Sequence, residues 1–309
     1  MKKTNQTHIV GTLYEHKLEE RVTGPNSKNP GTKYINGTIS IATDDAGINI
    51  VPIHYSYVTA TTNSGKINNT YTTLKAIIDQ TYKTVTSGAD NPTKLRVDSA
   101  IGLNEFYVDN GNTEPELVSR QRNEGGFIHV LTNIQEAEEK RDNFKVDIII
   151  TKATRVEANP DKKIDEFVRI KGAIFDFRGS LLPVEFKAIN PDAMDYFESL
   201  NASQKTPVYT QIWGRQKSQT IVTERVTESA FGGPKVDEIY STNRDFVITG
   251  ALQDPYIWDD ESTITIEEFK KAITDREIYL ATLKSNYLDY QNSKNNGVTN
   301  ITPSDGFDF

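Results

Sequence analysis

Phe167–Ile189, FVRIKGAIFDFRGSLLPVEFKAI, reads as two β-strands joined by a tight turn at Arg178-Gly179-Ser180. Apolar and polar residues alternate on either side of Gly172, the pattern of a strand with one buried face. A related stretch lies earlier, at Tyr34–Tyr57, YINGTISIATDDAGINIVPIHYSY. Gly37 stands there as Gly172 does here, Asp45-Ala46-Gly47 replaces the turn, and Ile50-Val51-Pro52-Ile53 matches Leu181-Leu182-Pro183-Val184. One small β unit used twice is the simplest reading of that similarity.

The flanking segments repeat as well. Ile9–Val22 and Phe144–Val156 read as long strands ending in Arg-Val, each followed by a Pro-containing loop and then by the hairpin. Thr70–Tyr82, with Leu74, Ile77 and Ile78 on one face, predicts an amphipathic helix, and Asp192–Leu200 predicts a shorter one in the same place of the second unit. Strands are then expected at 95–102, 105–109, 116–121 and 127–131 in the first unit. Those expected in the second are 208–213, 220–226 and 238–249. Strand, strand, strand, helix, strand, strand is the order of an OB-fold, a five-stranded Greek-key barrel. The expected architecture is mainly β: two tandem OB-fold-like barrels over 1–134 and 143–253, with a charged linker at 135–141. A helical extension over 254–292 follows, with Ser262 or Thr263 as N-cap, and 293–309 should form a disordered acidic tail.

A chain of 309 residues is comfortable for two cores. No segment approaches the ~18–20 apolar residues of a membrane-spanning helix. MKKTNQTHIV has no apolar run after its lysines, so no secretion signal is expected. The chain has no cysteine, which fits a reducing cytoplasm, and its four histidines show no metal-ligand spacing. Neither a metal nor a cofactor is expected. Phosphate-binding Gly-Lys-Ser/Thr loops, HExxH and GxSxG are all missing, so no enzyme chemistry is expected. The net charge of −8 is uneven. Residues 254–309 carry roughly −6 of it, leaving a nearly neutral body that can hold a local basic groove.

Bases interleave with aromatics in both units. The second offers Arg169, Lys171, Arg178, Tyr209, Trp213, Arg215, Lys217 and Arg225; the first offers Lys33, Tyr34, Tyr55, Tyr57, Arg96, Tyr107, Arg120 and Arg122. Single-stranded nucleic acid is held by such sets, bases stacking on rings while cations follow the phosphates. Phe175 and Phe177 share a strand face and are expected in the core. Trp213, read as standing at a strand end, is the foremost stacking candidate.

The last residues, Asp305-Gly306-Phe307-Asp308-Phe309, resemble the acidic, Phe-terminated tip of bacterial and phage single-stranded DNA-binding proteins. Residues 227–284 are similar to the C-terminal part of phage proteins associated with single-stranded DNA. The resemblance implies an OB-fold body that holds single-stranded DNA without sequence preference. It also implies a tail in which Asp305, Phe307, Asp308 and Phe309 recruit replication or recombination proteins, in the cytoplasm of a phage host. A virion or tail structural protein is the alternative, since small β barrels rich in Thr and Asn occur there too.

Overall fold

The computed structural model describes residues 3–111, 114–160, 164–228, 231, 233 and 235–295, with the side chains of all but 219–225, 238–241 and 295. The first five strands are β1 (Asn5–Val22), β2 (Lys33–Ala42), β3 (Ile50–Thr59), β4 (Lys94–Val108) and β5 (Glu116–Leu131), with helix α1 (Asn69–Ile78) between β3 and β4. β1 pairs antiparallel with β2 and β4, β2 with β3, and β4 with β5. A short parallel contact, Ile53 to Asn123 and His54 to Glu124, joins β3 to β5 and closes the barrel.

The next five strands repeat that path: β6 (Asp142–Val156), β7 (Phe167–Phe175), β8 (Leu181–Ala188), β9 (Val208–Thr227) and β10 (Lys235–Ala251), with α2 (Pro191–Ser199) after β8. β6 pairs with β7 and β9, and Val247 of β10 closes on Lys187 of β8. This is the closure of an OB-fold, made twice. Inward positions are Ile, Val and Leu with Tyr55 in the first barrel, while Phe144, Phe186 and Phe246 stack in the second with centroids 5.1–5.9 Å apart. Each helix plugs its barrel. Asn68 caps α1 by accepting from the Thr70 N–H, and Leu74 and Ile77 are fully buried. Asn190 and Pro191 start α2, which buries Met194 and Phe197. α1 stops four residues before Tyr82 because the chain turns left-handed at Gln80, φ 60°.

Strand β1 also pairs antiparallel with β6, Asn5 opposite Val146 and Ile9 opposite Asp142, so all ten strands form one sheet. Thr7 opposite Phe144 is the midpoint of that pairing. It places the barrels about a local two-fold, and the register then equates bulge residue 14 of β1 with 151 of β6. That register corrects the sequence alignment. Gly172 corresponds to Ile41 rather than to Gly37, and Pro52 to Glu185 rather than to Pro183. Packing explains the substitution. Where the first two strands of each barrel press together, a Cβ on Gly11 would meet Ala42 and the Ile41 side chain, and one on Gly172 would meet Ile149 and the Ile148 side chain. The same close approach thus holds glycine on the first strand of one barrel and on the second strand of the other.

Three further corrections concern length. β4 runs unbroken through 103–104, β5 through 122–126 and β9 from 208 to 227, where separate short strands were expected. The outer halves of β4–β5 and β9–β10 leave their own barrels as arms, and each arm crosses the other barrel. Gln121 of the first arm accepts the Glu185 N–H of β8, while the Gln216 side chain exchanges hydrogen bonds of 2.7 and 3.0 Å with Asn123 beside β3. Helix α3 (Ile266–Asn295) buries Phe269 and Ala272 against the second barrel. Its cap is Thr265 rather than Ser262 or Thr263. The Thr265 hydroxyl accepts from the Glu268 N–H, and the Glu268 carboxylate accepts from the Thr265 N–H. Farther along, α3 grips the first arm through Arg276–Glu105 at 2.5 Å and Tyr107–Tyr287 at 6.3 Å. Residues 293–295 belong to α3, not to a tail, and 296–309 lie outside the described residues.

Candidate nucleic-acid interface

In an OB barrel the outward face of the second and third strands, flanked by the first- and last-hairpin loops, is the surface that takes oligonucleotides. On the first barrel that face presents Thr38 and Ser40 from β2, Pro52 and His54 from β3, and Glu15 and Lys17 from β1. Arg122 and Asn123 of β5 and Arg244 from the second barrel's arm complete it, around a recess of about 270 Å³. His54 is held neutral: burial first, and then the Arg122 guanidinium, lower it to about 4. Thr38 Oγ1 lies 3.2 Å from His54 Nδ1, and Arg122 donates to Glu124 at 2.8 Å.

The equivalent face of the second barrel carries Arg169 and Lys171 on β7, Glu185 and Lys187 on β8, and Lys152 on β6. It is richer in cations, but they are paired: Arg169 with Glu185 at 2.8 Å, Lys171 with Glu185 at 3.8 Å, and Lys187 with Asp245 at 2.7 Å. Arg169 and Lys187 also flank the Phe167 ring at 5.7 and 4.8 Å. These are partly exposed pairs, each worth about 0–1 kcal/mol, so a phosphate can compete for the cations.

Of the residues read from sequence, Arg169, Lys171 and Arg122 are therefore brought onto the two faces. Lys33 and Tyr57 stand at the open ends of β2 and β3, and Arg178 lies over the Phe177 ring at 4.9 Å in the β7–β8 turn. Lys217 and Arg120 are exposed on the two arms, Arg120 over Phe106. Arg96 faces Asp98, whose other contacts are His8 at 2.7 Å and His129 at 3.9 Å.

Several expectations fail on burial. Tyr34, Tyr55 and Tyr209 are 3%, 1% and 0% exposed, so no base can stack on them. Tyr55 lies on an inward strand position, whereas Tyr209 lies on the outer face of β9 under Tyr256, Trp258 and Phe269, and burial pushes both phenols well above their ordinary range. Tyr107 is taken up by Tyr287 of α3. Arg215 is bound to Asp142 through two hydrogen bonds of 2.6 and 2.8 Å. Phe177 was expected in the core and is 89% exposed, whereas Phe175 is buried as expected. Trp213 lies within β9 rather than at its end. Its ring rests on Gly250, where a Cβ would collide with it, leaving 38% exposed. The Arg225 side chain and Asp305, Phe307, Asp308 and Phe309 lie outside the described residues.

Sequence reading missed Phe127 and Phe231, 74% and 92% exposed. Phe127 sits beside the Gly125-Gly126 bulge of β5, with φ 66° and 119°, and Phe231 sits at the tip of the second arm. Both glycine pairs, Gly125-Gly126 and Gly232-Gly233, were visible signals that a neighbouring ring is turned out of a regular face.

The class is thus a mainly-β protein of two OB-type barrels joined in one sheet, with crossed arms and a C-terminal helix. The chain belongs to the YorF family, whose match spans residues 3–286. Among solved structures it is similar to a deletion mutant of the single-stranded DNA binding protein from Thermus aquaticus. That similarity has 11% identity and a TM-score of 0.45, and covers 84% of this chain and 98% of that one. No curated protein matches it.

Proposed function

We infer that this protein binds single-stranded DNA without sequence preference, as a binding protein rather than an enzyme. The observation that carries this reading is the duplicated barrel closure with a cation-bearing second-and-third-strand face on each copy. Exposed rings at Tyr57, Phe127, Phe177 and Trp213 supply stacking surfaces. Rings accept any base, so homopolymers and mixed strands should bind alike. Fluorescence anisotropy with a labelled oligo-dT, a mixed strand and a duplex of the same length tests it. Comparable affinity for the two single strands, and much weaker binding of the duplex, is expected. Tighter binding of the duplex, or of one short motif alone, overturns it.

The finer reading is a phage-encoded role in replication or recombination in the host cytoplasm. What supports it is the resemblance of the C-terminal SDGFDF to recruiting tails, in which Phe307 and Phe309 would enter an apolar pocket rimmed by Lys or Arg. Deleting 301–309 should preserve oligo-dT binding and abolish recovery of replication proteins from host extract. Equal recovery removes the tail's role.

A further inference from the structure

Among the described residues every cation on the second barrel's face has a carboxylate partner except Lys152, whereas the first barrel's recess is left electrostatically open. Its three cations are Lys17, Arg122 and Arg244, and the carboxylates near them are Glu15, held to Ser40 Oγ at 3.4 Å, and Glu124, held to Arg122. Among the described residues one positive charge remains uncompensated. Lys17 and Arg244 have no ion pair among the described residues, and both are exposed at the rim. Arg122 lines the recess while its guanidinium donates to Glu124 at 2.8 Å. Thr38 and Ser40 add hydroxyls on the recess wall, and the neutral His54 adds an uncharged imidazole.

Position sharpens the inference. Arg244 belongs to the second barrel's arm, yet it lines the first barrel's face. The register equates it with Gln121 of the first arm, which covers Glu185 on the other face. Two equivalent crossings therefore end differently: one is sealed by a hydrogen bond to backbone, the other leaves an arginine over an open recess.

We propose that the recess between the first barrel and the second barrel's arm holds one phosphate monoanion, clasped by Lys17, Arg122 and Arg244. Resting on the single-strand reading above, that anion is a phosphodiester of the bound strand where it passes between barrels. A phosphodiester carries one negative charge, which matches the one uncompensated positive charge. It also presents two unbridged oxygens, enough for the Arg122 guanidinium on one side and the rim cations on the other.

The test uses the full chain, a Lys17→Ala/Arg244→Ala variant, and a charge-matched Lys270→Ala/Lys271→Ala control on α3. Two readouts are taken: oligo-dT affinity across a salt series, and thermal stabilisation by inorganic phosphate against equal ionic strength of chloride. The Lys17/Arg244 variant should lose at least ten-fold in oligo-dT affinity. Its log–log salt slope should fall by about 0.7, the one phosphate contact of a single strand. It should also lose phosphate stabilisation while melting like the parent without phosphate, and the control should keep both. If the parent binds oligo-dT and the variant binds it equally with the same slope, the recess proposal is overturned and the single-strand reading stands. If phosphate stabilises the parent but not the variant while oligo-dT binds neither, the recess is a phosphate site and the single-strand reading fails. If neither oligo-dT nor phosphate acts on the parent, both are wrong.

Discussion

Removing Arg215 tests whether this residue is a DNA contact or a strut. Asp142 is fully buried where the two barrels meet, and Arg215 is its counter-charge. Besides the two bonds to Asp142, the guanidinium donates to the Glu138 carbonyl at 3.0 Å. In Arg215→Ala, among the described residues only the Asn49 side chain, 2.7 Å away, would still donate to the carboxylate. Breaking a buried ion pair from one side costs about 3–5 kcal/mol. At ~2–4 °C per kcal/mol for chains of this size class, the midpoint should drop by roughly 6–20 °C. Burial already lifts Asp142 above the usual carboxylate range, even against Arg215. Without Arg215 its folded-state value must rise further. A carboxyl raised on folding stabilises the folded state at low pH and loses that contribution as pH rises through its folded value. The deficit of Arg215→Ala against the parent should therefore shrink between pH 7.5 and pH 5. Asp142→Asn/Arg215→Ala should cost less than Arg215→Ala alone. Thermal and urea melts at both pH values read all of this. An Arg215→Ala protein that melts within ~2 °C of the parent and loses one unit of charge from its DNA salt slope would refute the strut.

His54, lowered to about 4 by burial and Arg122, resists protonation when folded but takes a proton near 6.5 when unfolded. Its contribution is present above about pH 6.5 and lost as pH falls toward 4. After discounting for partial exposure, about 1–2 kcal/mol should go in that window, and His54→Gln should flatten that part of the pH–stability curve, read by melts. Trp213→Ala and Phe127→Ala should each weaken oligo-dT binding by roughly 1–3 kcal/mol if bases stack there, with unchanged salt slopes. Unchanged affinity would assign both rings to packing. Arg276→Ala leaves Glu105, 3% exposed, without its partner, so amide exchange in the first arm should rise by about two to three orders of magnitude while β6–β8 stay protected. Uniform loss of protection would show that α3 holds the whole fold rather than the arm.

The barrels were legible because their strands are half-buried and alternate, and because each helix announces itself with an Asn cap and a spaced apolar face. The arms were not. Beyond the barrel, residues such as 103–108 have no core to face, so alternation fades and one strand reads as two. Gly102 reads as a break, but it sits where the Glu124 side chain crosses, so the strand passes through. Parity would have placed Tyr55 inside, two residues after Ile53. Composition led the other way. Arg215 was misread because its partner lies 73 residues away on the neighbouring strand β6, a pairing no local pattern encodes. Arg244 went unread for the same reason, since its meaning comes only from the barrel it reaches.

The most direct measurement is the affinity of the full chain for a labelled oligo-dT as a function of salt. Phosphates engaged on both faces release counterions, so log K against log salt should be linear. With at least three contacts, at ~0.7 for each on a single strand, its slope should be about −2 or steeper. A flat dependence, or no binding at low ionic strength, would contradict single-strand binding through these faces.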